Sequence, residues 1–370
     1  MNVNAFLFCY LCTSNNYIYL FSDMNIASQS PFILPAEWYP QHAVMLTWPH
    51  ENTDWKPYLQ DITHTYLLLT QAITRHEQVV IVTPEPDHVS ELLKDFLSEA
   101  EFARVSVYDI ESNDTWARDH GPITLINNDQ PSDHLLLDFK FNGWGDKFAS
   151  EKDNAINQHL YKKGGLNGNM EDHTDFVLEG GSIESDGRGT IFTTSTCLLA
   201  PHRNQPLTRE EIAQHLCNYL RADRVVWLDY GNLIGDDTDG HIDTIVRIAP
   251  DDTLLYVGAG NPDDEQHEDF VNLEQQLQQL TTTEGKPYRL LRLPMPDAIY
   301  DDDERLPATY ANYLIINGAV IYPTYAQPVH DEEARKVLAQ AFPDRELIGI
   351  DANTIIRQHG SIHCLTMQLL

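Results

Sequence analysis

A short polar or glycine-rich turn followed by an apolar strand recurs along the chain, and this recurrence constrains the fold more than any other feature. The copies are "RDHGPITLI", "EGGSIESDGRGTIFTT", "DGHIDTIVRI", "INGAVIYPTY" and "GSIHCLTMQL". Their spacing of about 60 residues, with helical patterns between them, is typical of repeated supersecondary units arranged around an axis. Because helices separate the strands, the pattern predicts an α/β fold and not an all-β propeller.

Two amphipathic segments illustrate the helices between these copies. "HVSELLKDFLSEA" places its apolar residues on one helical face, and "TREEIAQHLCNYL" opens with a capping box formed by Thr208 and Glu211. An ordinary parallel α/β sheet fits the same alternation, but no G-x-G-x-x-G fingerprint follows a strand. The dinucleotide-binding version of that sheet therefore lacks support.

The charge of the chain restricts its partners. Its 370 residues include 24 Lys and Arg against 56 Asp and Glu, a net charge of −32. Such a surface repels nucleic acids and anionic membranes and favours the approach of a cationic small molecule. Solubility alone explains the acidity equally well.

The N-terminal residues differ from the rest of the chain. Residues 1–30 are predicted to be a poorly ordered leader, and residues 31–370 a single domain. No Lys or Arg precedes Lys56, so the leader resembles neither a secretory signal nor a membrane span. The five cysteines are irregularly spaced, which predicts a reducing, cytoplasmic location without disulfides. Cys9-x-x-Cys12 is a weak candidate for a redox or metal pair.

Two short motifs carry residues suited to chemistry. "WARDHGP" contains Trp116, Arg118 and Asp119, and "LEGGSIESDG" places Glu179 before two glycines. Paired glycines allow close approach of the backbone to a ligand. Taken alone, the first motif is equally a structural ion pair beside a core tryptophan, and the second is equally a turn.

The densest cluster of polar side chains is "GDDTDGHIDT", residues 235–244. An EF-hand loop is excluded, because aligning Gly240 with the invariant glycine puts Val246 where the bidentate glutamate belongs. His241 and Asp243 with a distant histidine (His330, His359 or His363) match the facial triad of a non-haem iron oxygenase. On a strand these two side chains would project together, as either a metal pair or a catalytic pair requires.

Cys364 is a candidate nucleophile in the segment "IHCLTMQL". If this segment is a strand, His363 points away from Cys364 and cannot be its base, which leaves His241 as the natural candidate. Carboxylates near a thiol would repel an anionic substrate but bind a planar guanidinium through paired hydrogen bonds. Such a cation also favours the thiolate. The residue set therefore indicates chemistry on a guanidinium carbon.

At these residues the sequence resembles the agmatine deiminase and bacterial peptidylarginine deiminase family of the guanidine-modifying (pentein) superfamily. The resemblance runs from "PAEWYPQHAVMLTWP" (35–49) through "WARDHGP", "FKFNGWG", "LEGGSI" and "GDDTDGHID" to "IHC". It implies a five-bladed αβ propeller of ββαβ modules around a central active site. It also implies a hydrolase of C–N bonds in linear amidines that uses no metal and no organic cofactor.

The resemblance assigns roles residue by residue. It makes Cys364 the nucleophile, His241 the general acid and base, and Asp119 and Asp243 the carboxylates that hold the guanidinium. Trp116, Asp237 and Glu179 take substrate-binding positions. The implied reaction passes through an S-amidino cysteine and, for agmatine, yields N-carbamoylputrescine and ammonia, a step toward putrescine.

Several positions depart from the family pattern and leave the substrate open. This chain has "QHGSIHC" where the family typically has "GGGNIHC". It has "DDTDGHIDT" in place of "DETNGHVDN", and "FNGWGD" in place of "FNAWGG". A peptidylarginine or other guanidine deiminase and an amidinotransferase are therefore alternatives. So are a metal-dependent oxygenase using His241 and Asp243, and a non-catalytic binding protein. A homo-oligomer is also compatible with the sequence.

Overall fold

A computed structural model describes residues 30–370. The β-strands of this region are β1 (Phe32–Ile33), β2 (Ala43–Thr47), β3 (Gln78–Thr83), β4 (Val105–Asp109), β5 (Ile123–Asn127), β6 (His134–Lys140), β7 (Asn169–Val177), β8 (Ile183–Ser185), β9 (Thr190–Thr194), β10 (Arg224–Leu228), β11 (Val246–Ala249), β12 (Thr253–Val257), β13 (Arg289–Leu293), β14 (Ile299–Asp301), β15 (Glu304–Leu306), β16 (Leu314–Ile316), β17 (Ala319–Thr324), β18 (Glu346–Asp351) and β19 (Thr366–Leu369). The α-helices are α1 (Leu59–Thr74), α2 (Pro86–Phe96), α3 (Glu99–Phe102), α4 (Ala117–His120), α5 (Gly143–Asp146), α6 (Ile156–Lys162), α7 (Ser195–Leu198), α8 (Arg209–Leu220), α9 (His267–Leu277) and α10 (Pro328–Ala341).

Five sheets share one strand pattern, in which an antiparallel pair is followed by a parallel pair. The five sets are β19-β2-β3, β5-β6-β7, β8-β9-β10, β11-β12-β13 and β16-β17-β18. The parallel strands of each set are joined through helical segments, as parallel pairing requires: α1, α5 with α6, α7 with α8, α9 and α10. The predicted α/β fold built from ββαβ modules is therefore confirmed.

The first module is assembled from distant parts of the chain. Strand β19 pairs antiparallel with β2, so that Thr366 lies opposite Leu46 and Leu369 opposite Ala43. Strand β4 extends the same sheet, and the hairpin β14–β15 stands outside the five modules. Pairing of β19 with β2 brings the turn before β19, which contains Cys364, next to the first module.

Apolar faces of the helices pack on these sheets as their patterns predict. Helix α2 buries Val89 and Leu93, and α8 buries Ile212, Leu216 and Leu220. Full burial of each such side chain contributes about 1.5–3 kcal/mol. The capping box predicted at the start of α8 is present, since Thr208 Oγ1 accepts the Glu211 amide and Glu211 accepts the Thr208 amide.

Two segments expected to be strands are turns instead. Residues Ile242–Thr244 form a single 3₁₀ turn, because the His241 carbonyl accepts the Thr244 hydroxyl at 2.8 Å. The segment around Cys364 is also a turn, in which the His363 carbonyl accepts the amide and the hydroxyl of Thr366, both at 3.0 Å. In both places local hydrogen bonds satisfy groups that a strand ladder would otherwise use.

Two further expectations concern regions beyond this core. The proposed leader and the Cys9–Cys12 pair lie outside the described residues. Within residues 30–370, no helix combines the length and apolar character needed to cross a membrane.

Candidate active site

Asp119, His241, Asp243 and Cys364, hereafter the reactive cluster, come together from three separate segments. Asp119 belongs to α4, His241 and Asp243 to the 3₁₀ turn and its first flank, and Cys364 to the turn before β19. Each is buried, the most exposed being Cys364 at 5%. A Cβ added to Gly181 would lie 2.6 Å from His241 Nδ1, 2.9 Å from Asp119 Oδ1 and 3.1 Å from Asp243 Oδ2. Glycine at 181 is thus the residue that lets these side chains approach one another.

The sulfur of Cys364 lies among oxygen atoms. It is 3.3 Å from Asn312 Oδ1 and 3.9 Å from Asp243 Oδ2. The same Asn312 oxygen accepts the backbone amides of His363 and Cys364 at 3.0 and 3.3 Å, and so holds this turn in place. Burial and the carboxylates of Asp243 and Asp119 raise the pKa of Cys364 well above its usual value. A cation that entered the cluster would reverse this effect.

Asp119 is held by donors on both of its oxygens. Its Oδ2 accepts from Trp144 Nε1 at 3.0 Å, and its Oδ1 accepts from the Gly181 amide at 3.0 Å. His241 Nδ1 lies 3.6 Å from Oδ1. Burial raises the pKa of Asp119, and the neighbouring His241 opposes part of that rise. The carboxylate orientation is therefore set by the Trp144 indole and by the backbone at Gly181.

His241 is fully buried, and neither ring nitrogen has a hydrogen-bond partner in residues 30–370. Burial lowers its pKa, but Asp119, Cys197 and Glu179 together raise it well above the usual value. The imidazolium form is thereby favoured. A buried polar atom without a partner costs about 1–3 kcal/mol, so this arrangement is costly unless a polar ligand completes it.

Asp243 uses its two oxygens differently. Its Oδ2 lies 2.7 Å from His363 Nδ1, whereas Oδ1 is buried and has no partner in the described part of the chain. Burial raises the pKa of Asp243, but the hydrogen bond from His363 and the positive charges of His363, His241 and Arg247 together outweigh that effect and lower the pKa. The Asp243 oxygen that lies near Gly181 and Cys364 is Oδ2, which His363 holds in place.

Glu179 lies close to His241 and is engaged by an arginine. It is fully buried, and its Oε1 lies 2.7 Å from Arg203 Nε, while Oε2 has no partner in residues 30–370. Ligand atoms of Glu179, Cys197 and His241 lie within 4.8 Å of one another. Arg203 also pairs with Asp239, so it is not free to bind a substrate carboxylate. Cys197 is buried in α7.

Asp237 precedes His241 by four residues in the same loop. It is partly exposed, and its carbonyl accepts Lys147 Nζ at 2.6 Å. Burial and the nearby Asp236 raise the pKa of Asp237 to about 6. Its assignment to substrate binding stays a prediction.

Tryptophans border the reactive cluster. Trp116 is 5% exposed, and its ring centroid lies 5.7 Å from that of Trp55 and 6.4 Å from that of Trp144. Its Nε1 donates to Asp114 Oδ2 at 3.1 Å. A Cβ on Gly360 would lie 2.1 Å from a carbon of the Trp116 ring. The position of this aromatic side chain therefore depends on glycine at 360.

Sequence reasoning missed four residues of this site. Trp144 lies inside the quoted segment "FKFNGWG", and Gly181 inside "LEGGSI", but neither had been given an individual role. His363 was considered as a base for Cys364 and as a possible metal ligand, but not as a partner of Asp243. Asn312 had no signal, because its role depends on the tertiary approach of β16 to the turn at Cys364.

The iron triad considered from the sequence is not assembled. His359 Nδ1 contacts the Gly235 carbonyl at 2.8 Å, and His330 Nδ1 contacts Gln327 Oε1 at 3.1 Å. Across residues 30–370, the groups close enough to hold a metal ion are Glu179, Cys197 and His241, and Glu37, Glu184 and His363. Neither contains His241 together with Asp243, although His363, a third candidate for the triad, lies 2.7 Å from Asp243 Oδ2.

Known proteins resemble the chain over most of its length. A protein of Legionella pneumophila (strain Paris) named "Putative agmatine deiminase" is 35% identical over 351 residues, which cover 93% of this chain and 97% of that protein. A crystal structure described as "Putative Arginine Deiminase from Porphyromonas gingivalis" is 45% identical, has a TM-score of 0.85, and covers 91% of this chain and 98% of that one.

A further solved structure is a cysteine-to-serine variant of C. jejuni agmatine deiminase with substrate bound. It is 35% identical, has a TM-score of 0.83, and covers 91% of this chain and 96% of that one. Residues 33–369 match the family described as Porphyromonas-type peptidyl-arginine deiminase. With its modules, reactive cluster and relatives in agreement, the chain belongs to the Porphyromonas-type peptidyl-arginine deiminase family.

Proposed function

We propose that this protein is a guanidine deiminase that converts agmatine and water to N-carbamoylputrescine and ammonia. The observation that carries the proposal is the reactive cluster: a thiol, an imidazole and two carboxylates meet in a buried place around Gly181. Relatives named agmatine deiminase support agmatine as the substrate. We also propose that residues 31–370 are one catalytic domain in a reducing, cytoplasmic compartment.

Asp119 and Asp243 hold the guanidinium. Each carboxylate accepts N–H donors from the flat cation, and such charge-assisted pairs are about twice as strong as neutral hydrogen bonds. Asp243 Oδ1 is available for this purpose because it has no partner in residues 30–370. Low exposure of the cluster strengthens these contacts by excluding water.

Entry of the cation prepares the nucleophile. The two carboxylates raise the pKa of Cys364, so the free enzyme holds a thiol. A bound guanidinium neutralises that negative field, and the thiol loses its proton to solvent. The thiolate then attacks the guanidinium carbon and forms the C–S bond.

His241 carries the protons of both half-reactions. As an imidazolium, which its raised pKa favours, it protonates the leaving nitrogen, and ammonia departs to leave an S-amidino group on Cys364. The neutral imidazole then takes a proton from water, whose oxygen attacks the amidino carbon. Cleavage of the C–S bond, with transfer of the hydroxyl proton of the adduct to the departing sulfur, releases the ureido product and restores the thiol.

The burial of the cluster favours a small substrate over an arginine in a folded protein. None of its four residues is more than 5% exposed, and Trp116 and Trp144 lie beside it. A guanidinium on a thin aliphatic chain reaches such a place more readily than one on a bulky polypeptide. The family's description keeps an arginyl peptide as the second candidate.

The test is to incubate the protein with agmatine, free arginine and an arginyl peptide and to measure ureido product and ammonia from each. Agmatine should be turned over fastest. Cys364→Ala should abolish turnover without a change in circular dichroism, while Cys217→Ala, at a buried cysteine in α8, should retain it. Turnover by Cys364→Ala, or product from none of the three compounds, would refute the proposal.

A further inference from the structure

His363, the residue before Cys364, contacts ionisable side chains in two directions. Its Nδ1 lies 2.7 Å from Asp243 Oδ2, and its Nε2 lies 3.0 Å from Glu37 Oε2 and 3.1 Å from Arg247 Nη2. The ring is 1% exposed. It therefore links the reactive cluster to an ionic group that the proposed mechanism does not use.

That ionic group lies on a second cavity. The cavity has a volume of about 100 Å³, and its lining includes Glu37, Arg118, Gly180, Glu184 and His363. We call it the rear cavity. None of the four residues of the reactive cluster lines it.

A thin partition separates the rear cavity from the reactive cluster. In each of three segments, one residue lines the cavity and the next belongs to or touches the cluster: residues 118–119, 180–181 and 363–364. Two of these segments are joined directly, because the Arg118 amide donates to the Cys364 carbonyl at 3.2 Å. A change on the cavity side can therefore reach the cluster through a single residue.

The partners of His363 fix its ring whether it is neutral or charged. Asp243 Oδ2 can only accept, since the pKa of Asp243 is lowered, so Nδ1 must carry the hydrogen. When Nε2 lacks a hydrogen, it accepts from Arg247; when it carries one, it donates to Glu37. The N–H directed at Asp243 is preserved in both forms.

We propose that His363 is a positioning residue that orients Asp243 for the guanidinium, and that Glu37 acts on substrate binding through it. The inference rests on the proposed function. His363 holds Asp243 Oδ2, the oxygen that lies 3.9 Å from Cys364 Sγ, and Oδ1 has no partner in residues 30–370. Without that hydrogen bond, the carboxylate can rotate and neither oxygen is held beside Cys364.

The test compares two substitutions at one position in the Cys364→Ala protein, which binds substrate without turning it over. An asparagine amide can stand where His363 Nδ1 stands, whereas a glutamine amide reaches the place of Nε2. Agmatine affinity is measured by calorimetry for Cys364→Ala alone and with His363→Asn or His363→Gln. His363→Asn should stay within about threefold of the parent, and His363→Gln should bind about tenfold to a hundredfold more weakly, as expected for a lost hydrogen bond to a charged group.

Glu37→Gln supplies a second measurement at a residue that touches His363 but has no contact with the reactive cluster. It should weaken binding in the same direction by a smaller factor, and thermal unfolding of every variant confirms that it is folded. Equal agmatine affinities of the His363→Asn and His363→Gln variants would overturn the inference. Agmatine binding by the parent protein would still uphold the proposed function in that case. If Cys364→Ala does not bind agmatine at all, the proposed substrate is wrong and the inference fails with it.

Discussion

The two sides of the partition differ in how their buried polar groups are paired. On the side of the reactive cluster, both ring nitrogens of His241 and one oxygen of Asp243 have no hydrogen-bond partner in residues 30–370. On the side of the rear cavity, the fully buried Arg247 is paired with both Glu37 and Glu184. Arg247 also donates to the carbonyls of residues 311 and 313 and lies 4.5 Å from a tyrosine ring.

This contrast indicates that the reactive cluster is suited to binding a ligand, whereas the network around Arg247 stabilises the fold. The cluster keeps polar atoms to which a ligand can bind, whereas every guanidinium nitrogen of Arg247 behind it already has a partner, and this network resists rearrangement. Substitutions in the reactive cluster should therefore lower activity with little change in stability. Substitutions in the network around Arg247 should lower stability with little change in activity. Each of the following experiments tests one side of that contrast.

Asp119→Asn should have the largest effect, because it removes a charge that the guanidinium needs. We expect kcat/KM for agmatine to fall about a thousandfold, near the upper range for loss of one preorganised electrostatic group. The thermal midpoint should be unchanged or higher, since burial raises the pKa of Asp119 and its charged form is costly. Ammonia release and calorimetric unfolding measure the two effects.

Asp138→Asn is the matched control for that variant. Asp138 is 1% exposed and accepts from Asn157 and Gln158, away from the cluster. Its amide variant should keep activity. A similar loss of activity in Asp119→Asn and Asp138→Asn would show that activity depends on any buried aspartate. The distinction between the reactive cluster and the rest of the core would then fail.

Arg247→Met should cost about 3–5 kcal/mol in the free energy of unfolding, because Glu37 and Glu184 would be left buried without their cation. Urea denaturation measures the loss. Combining Arg247→Met with Glu37→Gln and Glu184→Gln should recover most of it. If the single variant is as stable as the parent, the network does not have the supporting role assigned to it.

Gly360→Ala should lower kcat/KM about a hundredfold by displacing Trp116, since misplacement by about 1 Å can have an effect of that size. The added Cβ would come within 2.1 Å of the Trp116 ring. Gly285→Ala is the control, since a Cβ there meets no atom within 4 Å and affects only the backbone, where φ is +76°. An unaltered rate for Gly360→Ala would mean that the tryptophan does not border the substrate.

The smallest expected effect is a pH shift in the reactivity of Cys364. Burial, Asp243 and Asp119 raise its pKa, so alkylation by iodoacetamide should rise with pH only above the range of an ordinary thiol. Asp243→Asn removes one negative charge and should move the midpoint down. Mass spectrometry of the peptide that contains Cys364 gives the rate at each pH. A midpoint unaffected by the substitution would show that Asp243 does not act on the thiol.

The sequence predicted the modules and singled out the four residues that the structure brings together, because both leave a local trace. Repeated turn-and-strand segments reveal the module, and unusual groupings such as "GDDTDGHIDT" mark the chemistry. Local geometry at those residues was less predictable. His241 and Asp243 were placed on a strand, but hydrogen bonds to the His241 carbonyl produce a 3₁₀ turn.

Residues that depend on distant partners left no such trace. Asn312 serves the turn at Cys364 through contacts 51 and 52 positions along the chain, and Glu37 meets His363 across 326 positions. No periodicity reports contacts of that kind. Only the assembled modules show that a residue in the "PAEW" segment stands behind the reactive cluster.

The pairing of β19 with β2 is a site of low local stability in the protein. Strand β19 has four residues and lies at one edge of its sheet, so that among residues 30–370 it pairs with β2 alone. Elements with few partners lie toward the low end of the free energies of local unfolding. Detachment of β19 would free the turn that holds Cys364 while the other four modules stayed folded. Low concentrations of denaturant should therefore abolish activity before they unfold the rest of the protein.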